Sequence, residues 1–199
     1  MTTLCSLMVM CSLVVPAQQP VASYTCRADT KFGRHTVSLR QTVDAQAPAV
    51  VRANTRFTIA VRLRPGTLPG EVKGFTLQEV RDLTLRLPIP ANSSYVGAQL
   101  AGGSGLNSTP TVRLDGTTLL VTVSGPIPGG ASYQLPTLSL RLKSGRPGTV
   151  VETKLKGTSY DDPGLTLQAK IKWKFLSTKA PVACYPNPNP ALTRTRVTQ

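Results

Sequence analysis

From residue 165 to residue 175 the chain reads Leu-Thr-Leu-Gln-Ala-Lys-Ile-Lys-Trp-Lys-Phe, with every odd position apolar and every even position polar or cationic. An extended backbone turns successive side chains to opposite faces. The run therefore predicts a half-buried strand with Leu165, Leu167, Ala169, Ile171, Trp173 and Phe175 inward and Lys170, Lys172 and Lys174 outward. Residues 57–64 repeat the pattern, with Phe57, Ile59, Val61 and Leu63 against Thr58, Ala60, Arg62 and Arg64. Residues 37–43, 83–87, 138–143 and 151–156 follow it again with a basic residue outward, and residues 119–123 form an uncharged strand.

Turn chemistry separates these runs: Arg64-Pro65-Gly66, Leu68-Pro69-Gly70, Asp115-Gly116, Pro128-Gly129-Gly130, Arg146-Pro147-Gly148 and Asp161-Asp162-Pro163-Gly164. Strands buried on both faces read as continuous apolar runs, whereas one-sided alternation belongs to sheets wet on one face. The expectation is an all-β, antiparallel, immunoglobulin-like β-sandwich, with a β-barrel as the alternative. Residues 149–156 and 165–175 read as one hairpin about the loop 157–164. That pairing gathers Lys154, Lys156, Lys170, Lys172 and Lys174 on one face, where they would either bind an anionic partner or keep the sheet soluble and unpaired at its edge.

The amino terminus changes the picture. Residues 4–15, LCSLMVMCSLVV, form an uncharged apolar run of signal-peptide length, too short as a helix to cross ~30 Å of hydrocarbon. No Lys or Arg precedes it, and Val21-Ala22-Ser23 offers small residues for cleavage before Tyr24. The expected organisation is a signal peptide over 1–23, one β-sandwich domain over 24–185 and a flexible Pro/Asn-rich tail over 186–199. Loss of the leader removes Cys5 and Cys11 and leaves Cys26 and Cys184, which an oxidising compartment would pair as a disulfide. Two free thiols or a metal site are the alternatives, and no CxxC pair or histidine cluster accompanies either cysteine.

The net charge of +14 is uneven: residues 24–90 hold eleven Lys or Arg against five acids and residues 141–179 nine against three, while residues 91–140 hold only Arg113 and Asp115. Catalytic chemistry is sparse. His35, the sole histidine, follows Phe32-Gly33-Arg34 in a turn, where an exposed or capping role is expected, and no GxSxG, phosphate-loop or HExxH pattern occurs. No catalytic residue, metal or cofactor is expected, and export argues against a nucleic-acid partner.

Tyr24-Thr25-Cys26 after the leader, the strand entry Val51-Arg52-Ala53-Asn54-Thr55-Arg56-Phe57-Thr58-Ile59, and Cys184 before a Pro/Asn-rich tail resemble secreted immunoglobulin-like β-sandwich proteins of actinobacteria. The resemblance implies the fold and a secreted or envelope-associated location, and it supplies no catalytic residue. Two expectations for function follow. The first is an exported, non-enzymatic envelope protein, not a transmembrane one, binding an anionic polymer or lipid surface through the five lysines. Arg62, Arg64, Arg141 and Lys143 form a second basic group. The alternative is a carrier holding an apolar ligand between its sheets, with Trp173 and Phe175 lining the cavity.

Overall fold

Alternation becomes strand wherever turn residues bracket it. The structure, a computed structural model, describes residues 21–199, so most of the expected leader lies outside the described residues. In chain order the strands are β1 (Val21–Thr30), β2 (Gly33–Gln46), β3 (Val50–Arg52), β4 (Arg56–Leu63), β5 (Gly66–Thr67), β6 (Glu71–Val72), β7 (Phe75–Pro88), β8 (Ser93–Ala101) and β9 (Thr111–Asp115). The second half adds β10 (Thr118–Val123), β11 (Ile127–Pro128), β12 (Ser132–Tyr133), β13 (Thr137–Ser144), β14 (Val150–Thr153), β15 (Leu165–Trp173), β16 (Leu176–Pro186) and β17 (Thr193–Thr198). The described residues contain no helix.

The main sheet runs β8-β13-β4-β2-β1-β16-β15-β7-β10-β9, with β6 and β11 added on β7. Each of its pairings is antiparallel. It folds over at β2. Residues 33–42 of that strand pair with β1, and from Val43 onward it pairs with β4 instead, opposite Leu63. One long strand thus serves two layers: β2-β1-β16-β15-β7-β10-β9 on one side and β8-β13-β4 with the end of β2 on the other. The outer strands β8 and β9 also approach each other, which gives the sandwich a barrel-like outline. Alternate positions of each layer meet in one core, including Ile59, Leu140 and Leu142 from one side and Leu87, Leu119 and Val123 from the other.

Cys26 and Cys184 are bonded, and they face each other directly in the β1–β16 register. Both are at most 2% exposed. The link staples neighbouring strands of one layer across a sequence separation of 158, so it closes nearly the whole described chain.

Two expectations are corrected. The 149–156/165–175 hairpin does not form, because both edges of β15 are occupied, one by β7 and the other by β16. β14 joins β17 and β3 in a separate three-stranded sheet. The expected flexible tail contains β17, whose Thr195 and Val197 are buried and which pairs antiparallel to β14 and parallel to β3. The Thr195 hydroxyl donates to the Pro48 carbonyl at 2.7 Å, and the Asn189 side chain donates to the Leu155 carbonyl at 2.8 Å. The described part of β1 starts at the first described residue, Val21, and Ala22 is 3% exposed.

Chain entropy lost on closing so long a loop is worth up to about 5 kcal/mol, because the cross-link restricts the unfolded ensemble most. Replacing both cysteines by alanine should lower the urea midpoint by several tenths of its value or more while leaving the strand circular dichroism of the folded protein unchanged; an unchanged midpoint would show that the link adds nothing to stability.

Candidate functional site: an apolar cavity between the layers

The inner face of the larger layer is mostly apolar, with Thr30, His35 and Gln41 among its few polar members, and the smaller layer does not cover all of it. Between them lies a cavity of about 380 Å³. Tyr24, Cys26 and Ala28 of β1 line it on alternate positions, as do Leu165, Leu167, Ala169 and Ile171 of β15 and Ala180, Val182 and Cys184 of β16. The opposite wall, a roof, is built from Leu63 at the end of β4, Leu68 and Pro69 after β5, and Tyr133 and Leu135 at β12 and beyond, while Val72 of β6 and Ile127 of β11 line the space from short strands beside β7. The disulfide therefore forms part of the floor.

These roof segments hold together by a short two-stranded pairing of β5 with β12. The Leu68 amide donates to the Ala131 carbonyl at 3.0 Å, the Gly130 amide to the Leu68 carbonyl at 3.0 Å, and the Thr67 and Ser132 hydroxyls lie 3.1 Å apart. A Cβ at Gly66 would crowd the Tyr133 side chain, itself part of the lining, at 3.3 Å from its hydroxyl.

Polar lining groups are few. Ser38, Pro69 and Lys73 are the exposed members of the lining, so the cavity reaches solvent near them. His35 is not at an exposed turn; it lies half-buried within β2, with its ring centroid 5.1 Å from that of Phe75, and lines the same cavity. Tyr24 is 3% exposed and its hydroxyl has no hydrogen-bond partner. Burial disfavours the phenolate and pushes its pKa far above the ordinary 10.0; burial shifts Tyr133 in the same direction.

The carrier expectation named the wrong aromatics. The β15 alternation stops at Trp173, which is 41% exposed, and Phe175 lies beyond the strand in a turn and is 97% exposed. Neither lines the cavity. Aromatics that do are Tyr24, Phe75 and Tyr133.

The five lysines occupy four settings. Lys154 Nζ lies 3.2 Å from Glu152, which also meets Arg194 at 3.0 Å. Lys156 Nζ lies 2.9 Å from Asp162, and this lysine holds the Asp162 carboxyl below the usual range. Lys170 sits between Glu79 and Lys179 in the strand register. The Glu79 carboxyl is lowered chiefly by its hydrogen bond from Arg81. Lys172 and Lys174 have no ion pair among the described residues, and Lys174 Nζ lies 4.9 Å from the Trp173 ring centroid. Strand pairing thus separates a cluster that the alternation alone had placed on one hairpin face. No group of three or more His, Cys, Asp and Glu side chains able to hold a metal occurs among the described residues.

Fold and cavity together define an all-β, disulfide-closed sandwich with an internal apolar space. No protein-family profile matches the chain, and no curated protein matches it. Among solved structures it is similar to a protein of the actinobacterium Corynebacterium diphtheriae described as membrane anchored, with a TM-score of 0.60 and 13% identity over 90% of this chain and 37% of that one. The chain therefore spans little more than a third of that structure, and the likeness is one of fold. A second similarity, to a non-cellulosomal cohesin from the archaeon Archaeoglobus fulgidus, has a TM-score of 0.38 at 11% identity over 79% of this chain and 91% of that one, too distant to argue from.

Tyr24→Phe removes a buried hydroxyl that no protein group satisfies, so it should leave stability unchanged or raise it by up to about 1 kcal/mol. The folded state holds this phenolic proton more tightly than the unfolded one, so its contribution is fully present below pH 10.0 and declines as pH rises above it. The gap between wild type and Tyr24→Phe should therefore widen in favour of the variant above pH 10; parallel melting-temperature curves from pH 8 to 11 would contradict the burial. At the hairpin end, Trp173→Ala should cost well under the roughly 2–5 kcal/mol expected for Ile171→Ala, by denaturant titration.

Proposed function

We propose that the chain is an exported, non-enzymatic cell-envelope protein that carries an apolar ligand in the cavity between its layers. The supporting observation is the space itself: about 380 Å³ walled by aliphatic and aromatic side chains from both sides of the sandwich. Native cores pack to crystal-like density and leave few voids larger than a water molecule. An apolar void of this size falls within the ~300–1,000 Å³ of small-molecule sites. Its chemistry selects an aliphatic chain, and Lys73 beside the opening suits an anionic head group left at the mouth. The intact disulfide supports an oxidising compartment. The alternative, an anionic polymer bound across all five lysines, is weakened because Lys154 and Lys156 already meet carboxylates.

The test is uptake of a fluorophore-bearing fatty acid from solution. Ala169 lies on the cavity wall, and its neighbour Lys170 points outward. Ala169→Phe should fill the space and lower affinity at least about tenfold, whereas Lys170→Gln should leave it within about twofold. Absence of uptake by the wild type, or equal uptake by Ala169→Phe, would end the carrier reading.

A further inference from the structure

Three strand reversals meet at one end of the larger layer, and each is only two residues long. β1 turns into β2 across Lys31-Phe32, with Thr30 opposite Gly33. β6 turns into β7 across Lys73-Gly74, with Val72 opposite Phe75, and β15 into β16 across Lys174-Phe175, with Trp173 opposite Leu176. Every one of these loops begins with a lysine. The rings at their feet pack together: Phe32 and Trp173 at 5.0 Å between centroids, Phe32 and Phe75 at 5.9 Å, and Phe75 and Trp173 at 6.5 Å. The three tips are thus one structural unit, although they come from distant parts of the chain.

This unit ends in the most exposed large apolar side chains among the described residues. Phe175 is 97% exposed and Leu176 61%, beside the half-buried Trp173 cluster. Lys31, Lys73, Lys172 and Lys174 are exposed around them. Asp29, the acid nearest the first turn, is already engaged by Arg27 at 3.4 Å and Arg34 at 3.2 Å. A tight turn thrusts its side chains outward, so the apolar groups stand proud of the surface rather than lining a groove. Aromatic and aliphatic tips ringed by lysine are the composition that enters the head-group layer, with apolar groups reaching the acyl boundary and ammonium groups meeting phosphates.

We infer that this end docks on an anionic lipid bilayer, with Phe175 and Leu176 entering the interface and Lys31, Lys73 and Lys174 meeting lipid phosphates. The inference deepens the carrier reading, because Val72, Lys73 and Phe75 of the middle tip also line the cavity and docking sets the mouth against the membrane. It stands on the tip residues themselves, so the two readings can fail separately.

Trp173 is the sole tryptophan, which makes its fluorescence a local probe. The full chain without its leader is mixed with vesicles of equal parts phosphatidylglycerol and phosphatidylcholine, and with vesicles of phosphatidylcholine alone. The expected result is a blue shift of Trp173 emission and quenching by spin-labelled lipid in the anionic vesicles, weakening with added salt as the screening length shortens. Phe175→Ser with Leu176→Ser should reduce partitioning at least about tenfold. Lys31→Gln, Lys73→Gln and Lys174→Gln together should remove the preference for the anionic vesicles. All these side chains are exposed, and unchanged melting temperatures would show that the variants fold. Emission that anionic vesicles do not move, or equal partitioning of the double serine variant, would overturn the docking surface. Vesicle binding without fatty-acid uptake in lipid-free solution would remove the carrier reading and leave docking in place, and uptake without vesicle binding would do the reverse.

Discussion

The larger layer of this sandwich presents more apolar surface than the smaller one can cover, and most of the molecule's unusual features are responses to that mismatch. A strand shared between layers fixes how far they overlap, since β2 leaves β1 after Thr42 and joins β4 at Val43. Beyond Leu63 the second layer has no further strand of its own kind; the chain instead lays the paired β5 and β12 across the remaining face, while β11 extends the larger layer beside β7. Leaving that face bare would forfeit roughly 25 cal/mol for each Å² of apolar surface left in water. Closing it fully would need side chains long enough to meet in the middle. Ala28, Ala169 and Ala180 stand where larger residues could have done so, and the cavity is what their small side chains leave.

Floor and roof differ in how firmly they are held. The floor lies in the continuous ladder β2-β1-β16-β15-β7, and a disulfide couples its two central strands directly. The roof consists of two-residue strands joined by a few backbone bonds and one hydroxyl contact. Short pairings with solvent-exposed hydrogen bonds open at a lower free-energy cost than core strands do. The cross-linked sheet is thereby the firmer of the two walls, and the roof the one whose local opening costs less.

How much of this the sequence revealed follows from the range of each signal. Alternation is local, and it correctly marked β4, β10, β13 and most of β15, together with the antiparallel class. It could not see that β15 reverses after Trp173, because Lys174-Phe175 contains none of the usual turn residues and continues the apolar-polar rhythm. Lys174 takes a φ of 52°, a left-handed conformation seldom adopted by lysine and offset here by the pairing of both flanking strands. The one missed reversal moved Trp173 and Phe175 from the inferred core to the surface. It also misassigned the partner of β15, and with it the supposed clustering of Lys154 and Lys156 with Lys170 and Lys172. The tail was missed for a related reason: prolines at 186, 188 and 190 read as extended chain, but Arg194 to Thr198 alternates again, with Thr195 and Val197 inward. Cys26 and Cys184 were legible because pairing two remaining thiols needs no knowledge of register.

The cavity and the hairpin end were both invisible at the level of single segments, since each is assembled from strands far apart in sequence. Phe32, Phe75 and Trp173 come together only because β1, β6 and β15 all reverse at the same edge of one layer. Packing three turns through their rings restricts the tips as a group, so exposed Phe175 and Leu176 project from a rigid base and lose little conformational freedom on meeting a partner surface. The same ring cluster sits over the end of the cavity that His35 and Phe75 line. The mismatch between the layers thus leaves, at one rim of the internal space, three packed aromatic rings beside exposed Phe175, Leu176 and lysines. The two features share β7 and β15 as walls, and Phe75 belongs to both, packing on Phe32 and Trp173 on one side and lining the cavity on the other.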